Sequence, residues 1–369
     1  LSRFIMDGYE NNARINWDQL AESTELLVRF LDNVVTWNED LNALEKQRIA
    51  AKETRRLGLG VMGIADMLNQ LGVAYDSEQG VMMIEKVMEY ITNAAYQASS
   101  FIAKEKAPSP IFNEKSYMKC PFVQEALSEQ THVMIKKNGL RNIAIMSIAP
   151  TGSISNIVLG YKNKKKNYIG VSGGVEPIFS TFYTRRSESF GNKFFKVFHS
   201  TIQAYIDKMG LQKEIDKADD IDTVLPDYLT RTAHKIDSIK RVGIQGVIQR
   251  YIDHSISSTI NLPEDVEPET ISDIYIKAWK KNLKGVTVYR DGSRFPILST
   301  EKEMTEYQEM KSKTYSIMQE NGEKIEILGD DLFKLPDGKL TTMYHYLKSI
   351  ESTPENMSEV VEKTEEVNA

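Results

Sequence analysis

Apolar positions along this chain recur mostly at helical spacing, interrupted by short β-prone runs. From Asn16 to Val35, the residues Leu20, Leu27, Phe30, Leu31, Val34 and Val35 share one face. Asn16 is placed to cap this segment and Gln19 sits where a capping-box partner belongs, so a packed amphipathic helix is predicted. A charged helical stretch follows over 44–56. The longest stripe, Val81, Ile84, Met88, Ile91, Ala95, Ala98 and Ile102, predicts a helix over 77–106, stopped by Pro108 and Pro110. Residues 193–209 also read as a helix holding His199, with Phe194, Phe195, Phe198, Ile202 and Tyr205 or Ile206 inward. Further helices are predicted over 238–257 and from Pro268 to Leu283, where Lys280, Lys281 and Lys284 suit the negative end and Gly285 ends the turn.

The β-prone runs are 142–149, 258–262 (STINL) and 286–289 (VTVY). Strand, helix and strand with short links imply a parallel crossover, hence an α/β domain whose ligands sit at the carboxyl ends of the strands. PTGSIS (150–155) and RDGSR (Arg290 to Arg294) fall at such ends. Beyond Pro296 the pattern changes. Tyr315 to Ile317, Asn321–Gly322 and Lys324 to Leu328 read as a hairpin, PDGK over 336–339 as a second turn, and the glutamate-rich stretch from Glu351 as a disordered tail. The implied division is a main domain over 1–296, a linker with a small β appendage over 297–348, and an acidic tail over 349–369.

The stretch from Arg141 to Ser155 carries the sharpest chemistry. An apolar run breaks at Pro150 and Gly152 and restarts with serines, which predicts a strand, a tight turn and a helix N-terminus. Backbone N–H groups left free there, beside the Thr151, Ser153 and Ser155 hydroxyls, make an anion site, most naturally for phosphate; the alternative is a turn capped by its own serines. GLGVMG (Gly58 to Gly63) matches the dinucleotide fingerprint by letters, but AAKETRR before it cannot be a buried strand. It reads rather as small residues packing a helix closely. KNKKK (Lys162 to Lys166) reads as a solvated loop. In Gly170 to Arg186, the paired glycines before Glu176 suggest backbone passing close to something, and Arg185 and Arg186 suit either phosphate or Glu188.

A formal charge of −6 argues against a nucleic-acid binder, and no apolar run is long enough to span a bilayer. Cys120 is the single cysteine, so disulfide frameworks and thiolate zinc sites within the chain are excluded. It reads as an inert buried thiol in a cytoplasmic, reducing setting. None of the five histidines has a partner at metal-ligand spacing, so no protein-bound structural metal is expected. The chain opens on Leu1 in LSRFI as though a strand had been entered partway, and reads as a fragment or processed piece.

Five stretches in order, LSRFI, RRLGLGVMGIADML, RNIAIMSIAPTGSIS, GVSGGVEPIF and KGVTVYRDGSR, resemble the large catalytic subunit of ribonucleotide reductase, most closely the adenosylcobalamin-dependent class II type. The resemblance implies a ten-stranded α/β barrel of two five-stranded halves around a finger loop, this chain supplying the second half, with many helices and a small C-terminal β appendage. It implies reduction of ribonucleotides, as ribonucleoside diphosphates, to deoxyribonucleotides by radical chemistry. Thr151, Gly152, Ser153, Ile154 and Ser155 match the loop that holds the substrate diphosphate. Gly174, Val175, Glu176 and Pro177 match a loop bordering that site. The family's radical cysteine, its assisting asparagine and glutamate, and its reducing cysteines all precede the point matching Leu1, and Cys120 matches none, so no catalytic residue is assigned here. Tyr289 receives no radical role.

The partners implied are a ribonucleotide substrate, the N-terminal portion of the same enzyme, a thioredoxin-type reductant and a second copy in a homodimer, with no nucleic acid and no membrane. Adenosylcobalamin is the implied cofactor of the complete enzyme. Other readings stay open: the same family using a separate diiron radical subunit, a non-catalytic nucleotide-binding remnant, and a nicotinamide dehydrogenase reading its cofactor at Gly58 to Gly63.

Overall fold

The computed structural model describes residues 1–187, 193–218, 220–263, 266–290, 310, 313–318, 324–329, 331–335, 340–343 and 346–347, the side chains of 184–187, 193–195, 317–318 and 340 excepted. The chain divides into two units, one of Leu1–Phe182 and Phe198–Asp291, the other of Tyr183–Val197 and Gly292–Ala369.

In the first unit the long apolar stripes become helices. Trp17–Trp37 is capped as its letters predict, with Asn16 Oδ1 accepting from the Gln19 amide at 3.1 Å. Its buried face is rotated from the predicted one. Leu20, Thr24, Val28 and Asp32 point inward, while Leu27 and Phe30 are exposed. The rotation follows from Asp32, whose buried carboxylate accepts from Arg55 Nε at 2.9 Å and from Asn142 Nδ2 at 3.0 Å. Glu78–Lys106 forms as the stripe demands, capped by Ser77, with Ile84, Met88, Ile91, Ala95, Ala98 and Ile102 buried against the core.

Isolated parallel bridges tie three distant segments of this unit together. Residues 143–148 lie between 57–61 and 254–257. On one side Leu59 donates to Ile145 O at 2.8 Å and Ser147 to Leu59 O at 2.9 Å; on the other His254 donates to Met146 O at 3.0 Å and Ser257 to Ile148 O at 2.8 Å. Thr259–Leu262 continues the last of these and pairs in parallel with Thr287–Arg290, Thr259 opposite Thr287, after a crossover through Pro268–Lys280. This is the parallel unit read from the sequence. RDGSR beyond Arg290 lies outside the described residues.

Four expectations are corrected. GLGVMG is neither packed helix nor dinucleotide turn: residues 57–61 run beside 143–148 with a parallel bridge between Leu59 and Met146, and a Cβ on Gly60 would stand 2.3 Å from Ser147 O, so glycine there permits two backbones to approach. Lys193–Phe198 is a strand paired with Phe182–Ser187, and the helix begins only at Ser200. The helix predicted over 238–257 stops at Gln249, because Asp253 turns back to accept from the amides of Ile145 and Met146 at 2.7 and 3.0 Å. Cys120 is exposed rather than buried, standing before the Pro121–Ala126 helix in a stretch of short turns.

In the second unit Thr314–Met318 pairs antiparallel with Lys324–Leu328, Tyr315 opposite Ile327, and Leu332–Lys334 pairs antiparallel with Leu340–Thr342. These are the strands of the predicted hairpins. Their turns at Asn321–Gly322 and over 336–339, and the tail over 349–369, lie outside the described residues. The division at 296 and 348 stays a proposal.

Candidate functional site

The bridged segment 143–148 leads into Pro150, and the chain turns sharply there. Thr151 takes φ +52, a left-handed conformation that costs an L-residue about 1–2 kcal/mol. Ser155 then donates to Thr151 O at 2.9 Å, Asn156 donates to Ser153 O at 3.3 Å, and Asn156 Nδ2 bonds Gly152 O at 2.8 Å. The backbone continues as one four-residue 3-10 turn, Ile154–Ile157, not the predicted α-helix, because residues from Leu159 onward leave to form the Leu159–Lys162 and Asn167–Ile169 hairpin. Any pull on an anion therefore comes from individual amides, since so short a turn has little macrodipole. Among the described residues the amides of Gly152, Ser153 and Ile154 have no acceptor, and all three residues are exposed.

The remaining members of the predicted loop hold the turn in place. Ser155 is buried and its carbonyl accepts from Val171 at 3.0 Å; Thr151 Oγ1 accepts from Gly174 at 2.8 Å. The structure thus brings Gly174 against the Thr151 turn. A Cβ on Gly173 would lie 2.6 Å from Pro150 O and one on Gly174 2.8 Å from Ala149 O, which is the close backbone passage that the paired glycines suggest. Val175 and Glu176 point elsewhere. Val175 O accepts from Tyr75 Oη at 2.5 Å, Glu176 Oε2 pairs with Arg241 at 2.5 Å, and Glu176 Oε1 accepts from the Thr259 amide at 2.8 Å. Burial pushes the Glu176 carboxyl up, against the opposing pull of Arg241 and Thr259. Pro177 follows, buried, at the start of the stretch leading to Ile178.

Asp66 is the residue that sequence reasoning missed. It lies in Ile64–Gln70, every residue of which is buried, and its carboxylate accepts from the Ser172 amide at 2.6 Å, His199 Nε2 at 2.7 Å and Thr201 Oγ1 at 2.8 Å. Burial raises the Asp66 carboxyl, but the His199 charge and these hydrogen bonds outweigh it and bring it down to about 2. An acid inside an otherwise apolar helical run, GIADML, was the signal available. His199, read as a lone helical histidine, instead stands at the Ser200–Met209 N-cap position and supplies the imidazole of this cluster.

Other singled-out residues have plainer places. Lys166 pairs with Asp207 at 2.8 Å and lies over the Tyr168 ring on a hairpin turn, as a solvated loop would. Tyr289 pairs with Asn261 in the parallel sheet. Glu188 and the side chains of Arg185 and Arg186 lie outside the described residues.

Parallel pairing joined through helices defines an α/β domain. The model of the ribonucleotide reductase barrel domain matches residues 1–289, and the chain belongs to that family. It is 30% identical over 310 residues to the vitamin B12-dependent ribonucleoside-diphosphate reductase of Mycobacterium tuberculosis, covering 80% of this chain and 38% of that protein. To its counterpart in Thermoplasma acidophilum it is 31% identical over 302 residues, covering 80% and 35%. The ribonucleoside-diphosphate reductase subunit alpha of Helicobacter pylori is 28% identical over 311 residues, covering 77% and 34%. Among solved structures, the class Id ribonucleotide reductase alpha subunit of Actinobacillus ureae aligns with TM-score 0.54 and 22% identity over 73% of this chain and 46% of that one, a likeness of fold. The chain spans less than half the length of these relatives.

Proposed function

We propose that this chain is the substrate-phosphate-holding portion of a ribonucleotide reductase, acting on ribonucleoside diphosphates, and that deoxyribonucleotide formation requires the N-terminal portion of the same enzyme to supply the radical and reducing cysteines. The observation that carries this reading is the set of amides at Gly152, Ser153 and Ile154 that have no acceptor among the described residues, on the turn that follows the 143–148 segment. Three N–H groups on one exposed turn offer a phosphate charge-assisted hydrogen bonds without needing a cationic side chain.

The 30–31% identity to vitamin B12-dependent relatives favours adenosylcobalamin as the source of the radical in the complete enzyme. Among the described residues no group of histidine, cysteine, aspartate and glutamate could hold a metal, and two of the histidine side chains are committed inward: His132 to Val123 O, His199 to Asp66. The likeness to alpha subunits sustains a second reading, in which a separate diiron subunit supplies the radical; activity of the complete enzyme with and without added cobalamin separates the two. A thioredoxin-type reductant, a homodimer and a cytoplasmic location complete the proposal. No helix among the described residues is long and apolar enough to cross a membrane.

The test is ADP binding by the chain, read by calorimetry. Ser153 has φ −88, near the range proline accepts, and its amide has no partner among the described residues, so Ser153→Pro deletes one donor with little cost to the fold. A lost hydrogen bond to a charged phosphate is worth about 1.5–3 kcal/mol, so affinity should fall about ten- to a hundredfold at unchanged unfolding midpoint. Equal affinity would remove the turn from the site.

A further inference from the structure

The exposed amides of the phosphate turn hang between two anchors. At one end Thr151 Oγ1 accepts from Gly174; at the other Ser155 O accepts from Val171. Both donors belong to the same loop, and Ser172 lies between them. The Ser172 peptide is held on both sides: its N–H donates to Asp66 Oδ2 at 2.6 Å, and its carbonyl accepts from Gly63 at 2.8 Å. Asp66 is itself 0% exposed, and its other oxygen is oriented by His199 Nε2 and Thr201 Oγ1 from the start of the Ser200–Met209 helix. A charge buried so deeply is costly unless several donors meet it, and here they come from two chain segments besides its own.

We infer that Asp66, oriented by His199 and Thr201, is a positioning group for substrate phosphate: it fixes Ser172, and through Val171 and Gly174 sets the spacing of the Gly152, Ser153 and Ile154 amides. The inference rests on the reading of that turn as the phosphate site. It assigns His199 and Asp66 no contact with substrate. Their effect is exerted through the loop, which converts a flexible set of donors into a preorganised one.

The test uses the full chain, with ADP as the probe. His199→Leu removes one donor to Asp66 at a partly exposed position; His199→Gln keeps an N–H within reach. ADP affinity should fall about tenfold in the leucine variant and stay within about threefold in the glutamine variant, the difference being one hydrogen bond to a charged group. Amide hydrogen exchange supplies a readout that general destabilisation would not imitate. In His199→Leu, residues 150–158 and 170–176 should exchange faster while the Glu78–Lys106 helix keeps its wild-type protection. Asp66→Asn, which can still accept from Ser172, should lie between the two histidine variants. Equal ADP affinity in wild type and His199→Leu, or exchange raised evenly along the chain, overturns the positioning role and leaves the phosphate site standing. Absence of ADP binding by the unaltered chain overturns the phosphate reading itself, and this role with it.

Discussion

Replacing Gly60 by alanine tests the parallel core on which the site is mounted. The added Cβ would stand 2.3 Å from Ser147 O and 3.2 Å from Ile148 Cα, both backbone atoms that no rotamer change can move. Ordinary contact requires the two segments to separate by about 1 Å, since carbon and oxygen atoms pack at about 3.3–3.6 Å. Leu59 N to Ile145 O at 2.8 Å and Ser147 N to Leu59 O at 2.9 Å would then stretch beyond hydrogen-bonding range. Overpacking of this kind costs about 1–3 kcal/mol, and two weakened hydrogen bonds add about 1 kcal/mol each. The restricted unfolded chain returns about 0.4–1 kcal/mol, leaving a net loss of about 2–5 kcal/mol. Two neighbours calibrate the result. A Cβ on Gly58 meets nothing nearer than 3.9 Å, so Gly58→Ala should be neutral within about 0.5 kcal/mol. Gly243 sits within Ser238–Gln249 with nothing inside 4 Å, and Gly243→Ala should stabilise by about 0.5–1 kcal/mol. Urea unfolding followed by circular dichroism reads all three. A Gly60→Ala chain as stable as wild type would refute the close approach of 57–61 to 143–148.

Thr151→Val keeps the shape but removes the acceptor for the Gly174 amide; stability should drop by about 1–3 kcal/mol and ADP affinity about tenfold, by urea unfolding and calorimetry. Asp66 is held at about 2 against an ordinary 3.8, so its contribution is present above pH 4 and is lost as pH falls through 2; between those limits wild type should lose about 2 kcal/mol more than Asp66→Asn, read from urea midpoints across a pH series. Asp32→Ala takes the carboxylate from the Arg55 guanidinium, which is 2% exposed and keeps Glu39 at 2.9 Å, and should cost about 2–3 kcal/mol by the same denaturation assay.

What could be read from the letters divides along physical lines. Helices with a long apolar stripe and a capping serine or asparagine, such as Glu78–Lys106, were legible because periodicity and capping are local. The parallel pair Thr259–Leu262 and Thr287–Arg290 was legible because short links constrain topology. The bridged stretch 57–61 was not, because Leu57, Gly58, Leu59, Gly60 and Val61 owe their pairing with 143–148 to neighbours far along the chain rather than to β propensity. KFFKVF over 193–198 fits helix and strand spacing alike, and pairing with Phe182–Ser187 decides it. In the site, the turn and the glycine passage showed in Pro150, Gly152, Gly173 and Gly174, whereas the carboxylates around them, Asp66 on Ser172 and Asp253 on Ile145 and Met146, are defined by partners more than a hundred residues away.

The most direct measurement combines this chain with a polypeptide carrying the preceding portion of the enzyme, supplies ADP, adenosylcobalamin and a dithiol reductant, and follows dADP by chromatography. Product should form only when both polypeptides are present, with the rate at limiting ADP reduced about tenfold or more by Ser153→Pro. Turnover by this chain alone, or a complete mixture whose rate is indifferent to Ser153→Pro, would contradict it.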